Sequence, residues 1–293
     1  MATFTWTATG AGTTAWETSA AWFDTVGGNN PSSASFKAFP GNDYVINGSN
    51  LFTVNQIGAG GTASPDIANS LTLSDVQATL LLADGGGALD VTTTLSLNSL
   101  LNLGTAVGGS VLSMGGTAGG GTISLGSSGR LEGALNDSIQ DIGISPTEII
   151  GAGTVIAEGG IFQIGTSVWV AAGATTKFQI LPNATLAFAD AVSGGTIVFT
   201  TASGTGVLDV GSLSTFDAPI KGLFVGTGKN NATSYVDFLN VGTGATATLT
   251  NVTSSGATLN IFAGATNHSI PIIGNYVGRH VNYVSDGGTG TNV

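Results

Sequence analysis

The chain has 293 residues, 47 of them glycine and none cysteine, and carries a net charge of −11 from 17 acidic and 6 basic side chains. Charged residues make up 8 % and hydrophobic residues 42 %, which is too apolar and too weakly charged for a disordered chain. The few Lys and Arg are scattered, which argues against nucleic acid and anionic membranes as partners, and without cysteine no disulfide can staple the fold.

Residues 1–50 stand apart. They hold Trp6, Trp16 and Trp22 together with Phe4, Phe23, Phe36, Phe39 and Tyr44, and two prolines, Pro31 and Pro40. The stretch 14–22 is expected to make a turn or two of helix. The segment reads as an aromatic-rich N-terminal cap or assembly segment, because the end of a stacked β fold is an open strand edge over an open core. Trp6, Trp16, Trp22, Phe23 and Tyr44 are its candidate contact residues. An aromatic platform for sugar rings is the functional alternative.

Residues 51–293 form the second predicted unit. From 51 to 145 short apolar runs (71–74, 77–82, 95–97, 111–113, 121–125) are closed by Gly tracts, which supply positive φ at tight corners. The stretch 135–142 is the one expected loop or short helix before Ser145-Pro146. From 147 to 240 the runs lengthen and several alternate, as in 160–164, 176–180, 184–188 and 196–199. Apolar residues at i, i+2 and i+4 mark half-buried strands. The pattern resumes at 247–249, 257–262 and 281–284.

Strands at this density predict an all-β protein, a β-solenoid with the aromatic segment at its N-terminus. A β-sandwich or jelly roll is the alternative. A coil of roughly 20–30 residues gives about ten coils, and a rise of about 4.8 Å per coil gives a rod of roughly 50 Å. Thr, Ser and Gly interrupt every apolar run well short of about 18 residues, so no membrane-inserted helix is expected. The N-terminus has neither a basic nor an apolar leader region. Export is expected to use a removed leader or another route, such as a C-terminal signal.

The stretch 151–165 (GAGTVIAEGGIFQIG) resembles repeats of large secreted bacterial surface proteins, the autotransporter-like and type I-secreted adhesins. Similar continuations follow at 194–199 (GGTIVF), 206–209 (GVLD), 216–223 (FDAPIKGL) and 235–238 (YVDF). Residues 283–293 (YVSDGGTGTNV) resemble their closing motif, and Trp6, Trp16, Trp22 and 40–46 (PGNDYVI) their opening one. The resemblance implies a β-solenoid and an extracellular role in adhesion or matrix structure, and it carries no catalytic residues. The chain departs from those adhesins in being short, which fits a subunit better than a whole fibre.

Chemistry is sparse in this sequence. His268 and His280 lie in no zinc-type spacing and are read as surface or turn residues. Residues 287–292 (GGTGTN) are close to a calcium nonapeptide repeat, which makes Asp286 and Asn292 calcium candidates. Such repeats work in tandem, and ordinary Gly turns are the preferred reading. Asp137 with Asp141, and Asp209 with Asp217, are candidate carboxylate pairs for glycan cleavage, with solvated turn residues as the preferred reading.

The expectation is therefore a secreted, non-enzymatic structural protein with no cofactor other than calcium. It self-associates head to tail as a homopolymer in an extracellular filament, biofilm matrix or adhesive surface layer. Polysaccharide is the other expected partner, through a binding module or a β-helix glycan-degrading enzyme.

Overall fold

The structure is a computed structural model that describes residues 3–6, 14–15, 22–24, 43–46, 51–54, 66–74, 79–82, 88–104, 109–116, 120–143, 145–165, 168–200, 205–223, 234–242, 244–264, 266–281, 283–285 and 291–293. Nearly all of them are in strands and tight turns. Among the described residues there is one 3₁₀ turn, Leu213–Thr215, and no α-helix.

Strand alternation drives the architecture. In Thr79–Leu82, Thr122–Leu125, Thr196–Phe199 and Gly206–Val210 every second side chain is buried. One face of each strand therefore points to a core, and the chain must coil to give that face a partner. Parallel pairing stacks each coil on the previous one, which builds a β-solenoid. Ten parallel rungs follow one another from Thr3–Trp6 to Ser234–Phe238. At about 4.8 Å per rung the stack rises roughly 45 Å, close to the expected ten coils.

Three ladders run along the solenoid. The first holds Val111–Met114, Asp137–Asp141, Gly160–Ile164, Ala184–Phe188, Gly206–Val210 and Ser234–Phe238. The second holds Thr122–Leu125, Thr147–Gly151 and Val168–Val170, and continues as single bridges through Val192 and Phe216. The third holds Thr79–Leu82, Leu100–Asn102, Arg130–Gly133, Thr154–Ala157, Lys177–Ile180, Thr196–Phe199 and Ile220–Lys221. Long strands join the first two ladders by turning a corner. Residues 88–91 of Ala88–Leu97 pair with the first ladder and residues 94–97 with the second. At that corner Thr93 Oγ1 donates to the Asn69 carbonyl, 2.6 Å away in the coil below.

Stacking in register makes the core a set of apolar columns. On the third face Leu80, Leu101, Leu131, Val155, Phe178, Ile197 and Ile220 lie one above another, each fully buried. On the first face Leu112, Ile139, Ile164, Phe188, Val210 and Phe238 do the same. Phe178 and Phe188 meet edge to face across the interior, with centroids 5.2 Å apart, a favoured aromatic geometry.

Corners use residues that tolerate positive φ. Gly151 sits at φ +103°, where a Cβ would lie 2.1 Å from the Leu125 carbonyl oxygen of the coil below. Gly151→Ala is expected to cost about 1–3 kcal/mol in a urea titration. Wild-type stability in that variant would show the corner to be loose. Asn136, Asn183 and Asn240 take the left-handed region at other turns.

All antiparallel pairing among the described strands lies at the two ends. Trp22–Asp24 runs antiparallel on Thr3–Trp6, and Thr291–Asn292 on Ser234–Phe238. Between Ile220–Lys221 and the C-terminus the chain inserts a three-stranded meander, Thr246–Thr250, Gly256–Ala263 and Thr266–Ile273, whose last strand rejoins the third ladder. Ala257, Leu259, Ile261, Ile270 and Ile272 on its inner face join the core. The meander is pinned to the coil below by the His268 Nε2 bond to the Phe216 carbonyl. Tyr276 Oη adds a second bond to the Leu223 carbonyl at 3.1 Å.

One local expectation is corrected. Residues 135–142 hold the strand Asp137–Asp141, because Ile139 falls in the first-face column. Within 14–22, Thr14–Ala15 is a strand and Trp22 opens another, and the part of the expected helical turn between them lies outside the described residues.

Candidate functional site

The outward side of the first ladder brings carboxylates together. In Gly206–Val210 the alternation buries Leu208 and Val210 and turns Asp209 outward. In Ser234–Phe238 it turns Tyr235 and Asp237 outward in the same way. Asp209 stands directly beneath Asp237, and Asn292 of the antiparallel end strand pairs with Asp237. One ladder step is about 4.8 Å, which is close to the carboxyl spacing of glycan-cleaving pairs.

Partial burial raises the Asp209 carboxyl from its ordinary 3.8 to about 6, and the Asp237 charge adds to the rise. Burial also lifts Tyr235, reinforced by Asp209 and Asp237. Asp209 thus holds a proton in the fold that it has lost in the unfolded chain. Its contribution to stability is complete below pH 3.8 and fades as pH climbs toward about 6. Denaturant midpoints are expected to fall across that window for wild type and to flatten in Asp209→Asn. Parallel profiles for the two proteins would refute the pairing.

The pairs suggested by sequence spacing separate. Asp137 and Asp141 are the two ends of one strand, roughly 13 Å apart at about 3.3 Å per residue, beyond the reach of one sugar linkage. Asp137 is buried and works as a staple. Its Oδ1 accepts from the Ser110 amide at 2.7 Å and its Oδ2 from the Ala134 amide at 2.8 Å. Asp141 Oδ1 accepts from the Gly143 amide at 2.8 Å. Asp217 lies 3.7 Å from His268, away from Asp209. His280 is exposed.

The spacing of single residues did not reveal a buried cluster on the third face. Glu132, 4 % exposed, accepts from Asn102 Nδ2 at 3.2 Å and from the Arg130 guanidinium. Burial and then the Glu158 charge raise its carboxyl, while Arg130 and Asn102 oppose the rise. Asn102 and Glu132 are stacked neighbours 30 residues apart. Only the coil length could have joined them.

Among the aromatic candidates, the backbones of Trp6 and Trp22 pair directly, Thr5 pairs with Phe23, and Phe4 with Tyr44. Trp16 and the calcium candidate Asp286 lie outside the described residues. Among the described residues no three His, Cys, Asp or Glu side chains converge to hold a metal ion, and no helix is long and apolar enough to cross a membrane. Comparison with protein-family models, with curated proteins and with solved structures returns no match to this chain.

Proposed function

We propose that the protein is a secreted structural subunit, a self-associating β-solenoid of an extracellular filament, biofilm matrix or adhesive surface layer. The observation that carries this reading is the way its ladders end. The third ladder terminates in Thr246–Thr250, which pairs with Gly256–Ala263 on one side and with no described strand on the other. An end strand with unpaired amides and carbonyls is a template for another chain. The low charge and the column-built core support a role in which packing is the mechanism. Electron microscopy at neutral pH, with and without calcium, tests it. Rods joined end to end, as pairs or as filaments, are expected. Single short rods at every concentration would overturn it.

The Asp209–Asp237 pair favours a second reading, a glycan-cleaving or glycan-binding outer face. Its test is hydrolysis of, or binding to, acidic and neutral polysaccharides by wild type, with loss in Asp209→Asn and Asp237→Asn.

A further inference from the structure

The end strand Thr246–Thr250 lacks the devices that keep sheet edges apart. It has no Lys, no Pro and no bulge in its pairing with Gly256–Ala263, whereas exposed edges are ordinarily blunted by such features. The surroundings are equally bare. Between Asp237 and Arg279 the sequence contains no Asp, Glu, Lys or Arg. Within that same stretch Leu239, Val252, Phe262, Ile273 and Val277 are exposed. A chain of net charge −11 repels its own copies over most of its surface, and residues 238–278 add no Asp or Glu to that repulsion.

We propose that two copies join tail to tail by pairing Thr246–Thr250 antiparallel with the same strand of the second copy. This deepens the structural reading above and rests on it. Length selects the occupant. The described strands at the opposite end of the ladders are Thr14–Ala15, with two residues, and Trp22–Asp24, with three, the latter ending in a charge. Only its own copy offers an uncharged edge of the same five residues.

A two-fold axis at Thr248 gives an isologous contact. Thr248 then faces itself, and Thr246 faces Thr250. These are cross-strand Thr pairs of the favourable kind on the side where Thr248 and Thr250 are exposed. On the inner side Ala247 meets Leu249, and Leu249, half-buried in the single copy, becomes covered. Asn260 braces the edge beforehand, donating to Thr250 Oγ1 at 2.8 Å and accepting from Ser269 Oγ at 2.7 Å. The contact differs from the head-to-tail arrangement expected from the sequence. It makes the symmetric pair the unit from which any longer assembly grows.

Sedimentation velocity on the full chain at neutral pH and low salt tests this with a charge swap at the exposed Thr248. Wild type is expected to sediment as a dimer. Thr248→Lys and Thr248→Glu are each expected to sediment as single copies, and their equimolar mixture as a dimer again. Association of Thr248→Lys equal to wild type would overturn this edge while leaving self-association standing. A wild type that stays single at all concentrations would overturn both. Amide exchange gives a readout without variants. Protection within 246–250 that rises with protein concentration supports the pairing, and concentration-independent exchange refutes it.

Discussion

Replacing Phe162 with alanine is expected to lower the free energy of unfolding by about 3–5 kcal/mol. The ring is fully buried and sits in a first-face column above Asp137 and below Leu186 and Leu208. It also fills the space left by a glycine. A Cβ on Gly133 would lie 2.6 Å from the Phe162 ring, so ring and glycine are fitted to each other. A solenoid coil touches mainly its two neighbours, so a cavity in a middle coil weakens two interfaces at once. Denaturant titration of Phe162→Ala beside Ile161→Ala checks the claim. Ile161 is the exposed neighbour, and its truncation should stay within about 0.5 kcal/mol. Equal effects at the two positions would mean that the register is wrong.

Asp137→Ala is expected to cost about 2–5 kcal/mol, from two buried amides left without acceptors at about 1–3 kcal/mol each. Those amides belong to Ser110 and Ala134, and both are directed at the Asp137 carboxylate. Asp137→Asn should lose less, because one carbonyl oxygen remains to accept. Thermal melts of the two variants should therefore rank wild type, Asn, Ala. A carboxylate serving glycan cleavage would give another pattern, with melts unchanged and activity abolished. The same substitution thus separates a staple from a catalyst.

The strands were legible where alternation is strong. Residues 184–188 and 196–199 read correctly because apolar residues (Ala184, Leu186 and Phe188; Ile197 and Phe199) occupy every second place, and the structure buries those residues. Thr266–Ile273 was missed. Its Asn, His, Ser and Pro hide the period, and Pro271 stands where the neighbouring Ile220–Lys221 pairing has not yet begun. The region 135–142 was misread because Asp137 occupies an inward position, which polarity assigns to solvent. The candidate pairing was legible only in part. Asp209 was singled out, but its partner is 28 residues along at Asp237, one coil away. Between the first coil and the meander, coil offsets vary from 19 residues, between Phe178 and Ile197, to 30, between Leu101 and Leu131. No fixed period could have joined the two carboxylates, since turns absorb the differences in length.

That variable offset also sets how the molecule would bear load. Its ladder hydrogen bonds run along the solenoid axis, so a pull along the axis opens them one turn after another rather than all together. Each released turn between the first coil and the meander frees 19–30 residues of chain, or roughly 60–110 Å of contour at about 3.3–3.6 Å per residue. In a surface fibre such a subunit would act as a spring that yields in steps of unequal length. The meander, pinned through His268 and Tyr276, would be the latch that gives first or holds longest.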